Sequence, residues 1–234
     1  MTAILAVNPH EARQLIRKLA PLKLQGIYHY SGLILNKKVA LYCTRTQAPA
    51  LEQIRRFLRL YPFERVLCIG TAAALTGNLS QFDSVLVDEF ISPDKKLLLL
   101  IKSKSPATIR IVSVRGVISK DQDKAFLAET YQAQLLDQEF YRLASILTEE
   151  EFSMLIPVFI KVIDDVAGDE RYLIREAQYR NVFTAPLSLK NFFELIYKII
   201  HFGIIDFIKI FIRKRRLQLR LLENIKKRLS AKID

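Results

Sequence analysis

Residues 156–170 read IPVFIKVIDDVAGDE, and this stretch decides the fold class. Its first eight residues are mostly apolar, with β-branched and aromatic side chains and one lysine, which predicts a buried strand of an α/β sheet. The run stops on Asp164 and Asp165, and acids at the carboxyl end of such a strand lie where open α/β sheets bind ligands. Taken alone, the two acids fit a helix cap or a solvated turn at least as well.

Composition indicates a globular protein of one large α/β domain. The chain has 234 residues, of which 50% are hydrophobic and 26% charged, so an intrinsically disordered protein is excluded. Cys43 and Cys68 lie in apolar runs, which predicts buried thiols in a reducing compartment. The three histidines lack metal-ligand spacing, so we predict no metal site. The first residues, MTAILAVN, lack the features of a signal peptide and predict a cytoplasmic protein.

Hydrophobic periodicity predicts strands interleaved with helices. Strands are predicted at 3–7, 27–35, 39–43, 65–69, 84–87, 109–118 and 156–163, and helices at 11–19, 51–60 and 127–146. The segment 70–74, GTAAA, is interpreted as a turn of small residues after a buried strand. This order of elements predicts an α/β sandwich with a mixed sheet.

Four blocks resemble, in the right order, the purine and uridine phosphorylase superfamily, which includes the methylthioadenosine/S-adenosylhomocysteine nucleosidases. They are AILAVNPHEARQLIRKL at 3–19, VLCIGTAAALTGNLSQFDSVLVDEF at 66–90, LDQEF at 136–140 and KVIDDVA at 161–167. The resemblance implies a three-layer α/β sandwich with a mixed central sheet, over residues 1–203. A C-terminal amphipathic helical extension at 204–234 exceeds the family pattern.

The resemblance also implies roles for individual residues. Asp165 falls where the family keeps the aspartate that protonates the purine base, and Glu11 where the nucleosidases keep the acid that orients the attacking water. Glu139 aligns with the glutamate that binds the sugar hydroxyls, although an exposed helix acid is its plainer interpretation. Asp164, where the family usually has Ser, would favour a protonated Asp165, because like charges repel. Equally, it would disturb the hydrogen bonds that position Asp165.

Further candidate substrate-binding residues follow from the same blocks. Thr71 aligns with a Ser or Thr that touches water or phosphate, and a simple turn residue is its alternative. Gly70 precedes it in the turn, and Gln138 replaces a Met that often packs under the sugar. Ser119 resembles a Ser-Gly-Asp segment near the base. No cofactor is implied.

Water is the expected acceptor rather than phosphate. Phosphorylases hold phosphate with Arg side chains, whose planar fork suits that anion. Cys68 and Glu11 stand where such arginines would be, which leaves Arg45 as a possible stand-in. We therefore expect a purine nucleoside hydrolase.

Other departures from the family pattern favour a different function. Ala73 and Ala74 replace a Gly pair, and the aromatic residue that stacks on the base is missing unless Phe126 replaces it. These changes favour the alternative, a catalytically weakened nucleoside-binding or membrane-tethered scaffold protein.

The C-terminal segment carries most of the charge asymmetry. From residue 186 to 234, twelve Lys or Arg stand against four Asp or Glu, a surplus of +8 out of the formal +12 of the chain. Residues 204–234 are basic, aromatic and amphipathic, but interrupted by charge too soon for a membrane-spanning helix. An anionic membrane surface and a homodimer contact explain this pattern equally well. A nucleic-acid partner is favoured least, because no aromatic residue interleaves the cluster 213–216.

Overall fold

Short hydrophobic strands assemble into one mixed sheet. The computed structural model describes residues 1–43, 48–92, 97–100, 109–114, 118, 120–165 and 204–231. The strands are β1 (Thr2–Ala6), β2 (Ala20–Leu24), β3 (Ile27–Ile34), β4 (Lys37–Cys43), β5 (Arg65–Ala74), β6 (Ser84–Val87), β7 (Glu89–Ile91), β8 (Leu97–Leu100), β9 (Arg110–Ser113), β10 (Leu135–Asp137) and β11 (Ile156–Asp165). The helices are α1 (Arg13–Ile16), α2 (Ala48–Leu58), α3 (Asp121–Tyr131), α4 (Phe140–Leu147) and α5 (Ile204–Ser230), with a 3-10 turn at Glu150–Phe152.

The long strand β5 is the centre of the sheet. Strands β4, β1, β5 and β11 are parallel neighbours, and β2 and β3 extend the β4 edge as antiparallel strands. Beyond the end of β1, β5 continues far enough to pair with β10 in the antiparallel sense. On the other edge, β6 runs antiparallel to β11. Because four neighbouring strands are parallel, their carboxyl ends lie at one edge of the sheet.

Helices cover both faces, which confirms the three-layer α/β sandwich with a mixed central sheet. One face packs on α2 and α4, where Phe57, Phe140 and Phe159 belong to a single apolar cluster. The other face packs on α1 and α5, where Leu15 and Leu221 belong to a second cluster. The strands that pack between the two layers are therefore continuously apolar.

Two sequence predictions of local structure are wrong. The predicted helix at 127–146 is interrupted, since α3 ends at Tyr131, β10 joins the sheet, and α4 begins at Phe140. Gln132 ends α3 in the left-handed conformation with φ 49°, and helical periodicity cannot reveal a three-residue strand. The predicted turn at 70–74 is the last part of β5, because pairing with β10 and β11 satisfies its backbone polar groups.

Helix α5 is part of the sandwich. Its inward face contributes six buried apolar side chains: Ile210, Leu217, Leu221, Leu222, Ile225 and Leu229. The Arg65 Nη1 group donates a hydrogen bond to the Arg228 carbonyl oxygen at 2.8 Å. The domain boundary between 203 and 204 stays a prediction, but this helix contacts β11, β5 and α1. Within the described residues, no helix is both long and apolar enough to span a membrane.

We predict that Ile225→Ala destabilises the protein by about 2–5 kcal/mol, since it deletes a fully buried side chain and leaves a cavity. Ile225 is 0% exposed, whereas Ile212 on the same helix is 59% exposed. The matched variant Ile212→Ala should change the free energy of unfolding by about 0.5 kcal/mol or less. Urea unfolding curves measure both values. Equal and small effects would show that α5 is not packed on the sheet.

Candidate functional site

The residues singled out by the sequence converge on the carboxyl edge of the sheet. Glu11 lies in the connection after β1, Thr71 lies on β5, and Asp165 is the last residue of β11. Asp137 ends β10, which pairs with the same part of β5. The topology therefore brings four separate chain segments to one place.

Glu11 and Thr71 form a hydrogen-bonded pair. The Thr71 backbone N–H and its hydroxyl both donate to Glu11 Oε1, at 2.8 and 2.7 Å. Burial raises the pKa of Glu11, and the nearby Lys161 ammonium and the two Thr71 hydrogen bonds offset this only in part. A fixed carboxylate with a raised pKa suits general-base chemistry.

Lys161 is a buried cation beneath this pair. Its side chain is 3% exposed, and Nζ lies 2.9 Å from Asp137 Oδ2 and donates to the Thr71 carbonyl oxygen at 2.8 Å. The ammonium also lies 3.3 Å from the centroid of the Phe140 ring. Its charge is thus balanced by a carboxylate inside the protein.

Asp137 organises the start of α4. Its carboxylate accepts hydrogen bonds from the Ser113 hydroxyl, from the Phe140 N–H at 3.1 Å and from the Glu139 N–H at 3.3 Å. Glu139 is therefore held in the turn before α4. The sequence had predicted that it would lie within a helix. Its side chain is partly buried, and Gln138 beside it is exposed.

Gly70 allows a close approach within the protein. A Cβ atom built there would lie 2.9 Å from Phe140 Cε2 and 3.1 Å from Lys161 Nζ, too close for an undisturbed side chain. The glycine thus makes room for the ring and the ammonium. Direct contact of Gly70 with a substrate, as the resemblance implies, stays a prediction.

The adjacent acids Asp164 and Asp165 each have a cationic partner. Asp165 Oδ2 accepts from Lys124 Nζ at 2.7 Å, and Asp164 Oδ1 accepts from Arg213 Nε at 3.0 Å. A β-bulge between Ile163 and Asp165 sets Asp165 opposite β5 residue 73. Each of the two neighbouring carboxylates thus has a cation beside it, and the expectation that Asp164 favours a protonated Asp165 stays a prediction.

Helix α5 reaches the same edge through Arg213 and Lys214. Arg213 is buried, with a side chain 8% exposed, and forms the ion pair with Asp164. Burial lowers the pKa of His10 to about 4, and the charges of Lys214 and Arg13 add to this effect. The C-terminal helix therefore flanks the loop that carries Glu11.

Sequence reasoning missed the two buried lysines. Lys161 had a detectable signal, since a charged residue inside an apolar strand requires a partner. Lys124 had no such signal, because in the sequence it is one polar residue among others in a polar helix segment. Phe126 is 65% exposed, and its replacement of the missing aromatic residue stays a prediction. Ser119 and Arg45 lie outside the described residues.

Metal binding finds no support in the described part of the chain. There, no three His, Cys, Asp or Glu side chains are grouped so as to hold an ion.

Comparisons with known proteins identify the fold. No protein-family model and no curated protein sequence matches the chain. Several solved structures match the chain at low sequence identity. The Helicobacter pylori 5′-methylthioadenosine/S-adenosylhomocysteine nucleosidase with butyl-thio-DADMe-Immucillin-A is 16% identical, with a TM-score of 0.58 over 84% of this chain and 97% of that chain. Futalosine hydrolase of the same organism is 16% identical, with a TM-score of 0.56 over 70% and 84%.

A third neighbour comes from another organism. The nucleosidase from Neisseria meningitidis in complex with methylthio-immucillin-A is 14% identical, with a TM-score of 0.55 over 70% of this chain and 85% of that chain. The chain therefore has the purine/uridine nucleoside phosphorylase fold, in a form divergent in sequence from these nucleosidases.

Proposed function

We propose that this protein hydrolyses the N-glycosidic bond of a purine nucleoside or a close derivative. The observation that carries the proposal is the Glu11–Thr71 pair, set at the same sheet edge as Asp165. This arrangement supplies a partly buried base on one side and an acid–cation pair on the other. The structural neighbours named above include nucleosidases with nucleoside-like ligands, which supports this substrate class.

The reaction divides between two groups of residues. Glu11 takes a proton from water as the water oxygen bonds to C1′ of the sugar. The C1′–N bond breaks through an oxocarbenium-like state, and the departing base is protonated at the side where Asp165 lies. Glu139 accepts hydrogen bonds from the sugar hydroxyls, since a carboxylate accepts two donors at once. Water activation opposite the leaving group is the arrangement of inverting glycoside hydrolysis.

Charge at the site favours water over phosphate as the acceptor. Lys161 is the buried cation closest to Glu11 and Thr71 on the described residues, and Asp137 already balances it. Cys68, where phosphorylases are expected to place an Arg, is a fully buried thiol. A phosphate dianion would also meet the Glu11 carboxylate, and like charges repel.

One observation favours the alternative, a nucleoside-binding protein with weakened catalysis. Ala73 pairs directly with Asp165, and its methyl group replaces a glycine hydrogen of the family pattern. Such a protein would bind nucleosides without releasing base.

The proposal is tested with a panel of purine nucleosides and 5′-substituted derivatives, with and without phosphate. We expect release of free base at a rate independent of phosphate, with the free sugar as the second product. Chromatography measures the base, and a sugar assay identifies the second product. Formation of sugar 1-phosphate would overturn the hydrolase proposal. Tight nucleoside binding by calorimetry without base release would establish the binding-protein alternative.

Glu11→Gln should reduce base release by about 10²–10⁴-fold, since it removes the general base. The pKa of Glu11 is raised above its ordinary value of 4.5. The activity of the parent protein should therefore fall as the pH drops through this raised pKa, because the base becomes protonated. The exposed Glu64→Gln is the matched control and should retain the parent profile. An unchanged acid limb in Glu11→Gln would contradict the assignment.

Stability gives a second measurement on the same variant. A carboxyl whose pKa is raised on folding binds its proton more tightly in the folded state, so its contribution to stability is lost as the pH rises. The amide of Glu11→Gln keeps an oxygen that accepts from Thr71. The variant should therefore be at least as stable as the parent at pH 7.

We also propose that the outer face of α5 binds the anionic cytoplasmic face of a membrane. On this face, Ile205, Ile208 and Ile212 are 66%, 47% and 59% exposed. Lys209 and Arg215 lie among them and are exposed as well. A homodimer through the same face would bring these like charges together, whereas anionic headgroups would neutralise them. Charge therefore favours lipid over self-association.

The full chain should sediment with anionic phosphatidylserine vesicles, weakly with neutral ones, and less at high salt. Replacing Ile208 and Ile212 with Gln should release it, while replacing exposed Leu33 on β3 with Gln should not. A dimer contact predicts different results: no sedimentation with vesicles, and a halved mass of the double variant in light scattering.

A further inference from the structure

We infer that Lys124, rather than Asp165 itself, supplies the proton to the departing base, an inference that rests on the proposed nucleoside hydrolysis. Sequence resemblance assigns this proton to the aspartate. The structure adds a second residue to the acid side of the site, and that residue comes from α3, a different part of the chain.

The two side chains form a buried ion pair. Lys124 Nζ donates to Asp165 Oδ2 at 2.7 Å, and the side chains are 1% and 7% exposed. An unpaired ammonium at this depth would be costly, so the carboxylate form of Asp165 and the charged form of Lys124 stabilise each other. A carboxylate has no proton to donate. The ammonium has three N–H groups, of which one is directed to Asp165.

Among the described residues, the acid beside Asp165 in sequence has a cationic partner of its own. Asp164 is the nearest like charge in sequence, and Arg213 compensates it at 3.0 Å. Asp164 therefore gives no reason for Asp165 to hold a proton. Asp165 then acts as a positioning residue, which orients the Lys124 ammonium.

The placement of α3 explains why Lys124 reaches the site. Helix α3 begins at Asp121, and Lys124 is the residue of its first turn that the structure buries. Phe126 points outward and is 65% exposed. The helix therefore presents a donor to Asp165 at the sheet edge. N7 of a purine is an acceptor that suits an ammonium donor.

The step balances without any further reactant. As the C1′–N9 bond breaks, both bonding electrons stay on the base, and one proton moves from Lys124 Nζ to N7. The water that attacks C1′ gives its proton to Glu11. The neutral amine of Lys124 takes a proton from solvent after the base leaves, and Glu11 returns one.

The test compares the purine nucleoside that the panel identifies with its N7-methylated form. The methylated base carries a fixed positive charge and leaves without protonation. Lys124→Met should lower base release from the parent nucleoside by about 10²–10⁴-fold, the usual contribution of a general acid. On the methylated nucleoside the same variant should stay within a few-fold of the parent protein.

Lys124→Arg is the matched control for charge. A guanidinium keeps the pair with Asp165, but Arg is not deprotonated in proteins. The inference predicts that Lys124→Arg is folded and loses activity selectively on the unmethylated nucleoside. Full activity of Lys124→Arg, or equal loss of both substrates in Lys124→Met, would overturn it.

Two controls distinguish failure of the inference from a folding defect and from failure of the proposed function. Lys124→Met leaves the buried Asp165 carboxylate without its ammonium, so Lys124→Met combined with Asp165→Asn removes both charges together. This double variant should fold and show the same selective loss, and loss of both substrates in a folded double variant would also overturn the inference. If the parent protein releases base from no nucleoside, the proposed function itself fails.

Discussion

The ion pair between Lys161 and Asp137 joins the parts of the protein that form the candidate site. Lys161 comes from β11 and Asp137 from the end of β10, and the ammonium also binds the carbonyl oxygen of Thr71 on β5. Removing one member of a buried pair costs about 3–5 kcal/mol, because the other charge is left in a medium of low dielectric. The pair therefore fixes the relative positions of three strands at their functional edge.

Several features of the site follow from this pair. Asp137 can cap α4 and hold Glu139 because its other interactions keep it in place. Gly70 is needed because Phe140 and Lys161 occupy the space beside it. Glu11 lies near the same ammonium, which lowers the cost of its own burial. The buried Lys161 ammonium thus links the residues at four positions: Glu11, Gly70, Asp137 and Glu139.

Sequence reasoning predicted the architecture and part of the site. Apolar runs identified β1, β4, β5 and β11, because strands buried on both faces require them. The hairpin pattern before β4 identified β3. The resemblance named both Glu11 and Thr71 as candidate site residues but not their contact, and in the structure they are hydrogen-bonded. It missed β10, which is too short for a periodic signal, and the bulge before Asp165, which changes register without changing composition.

Ion pairing was the second feature that the sequence did not reveal. The partners Lys124 and Asp165 are 41 positions apart, and Arg213 and Asp164 are 49 apart. Nothing local marks a polar residue on a helix surface as buried. Tertiary packing decides which charges face each other, and the electrostatic argument from adjacent acids did not include these two cations.

The contact between the first strand and the last helix has a consequence for biosynthesis. Ile4 on β1 shares a cluster with Leu221 and Ile225 of α5, more than 200 positions later in the chain. While a ribosome is still translating residues before α5, the apolar side chains of this face that pack on α5 lack that partner. Exposed apolar strands of this kind attract chaperones and favour aggregation, and such nonlocal contacts slow folding. The burden on the cell's folding machinery is therefore greatest just before the last helix emerges.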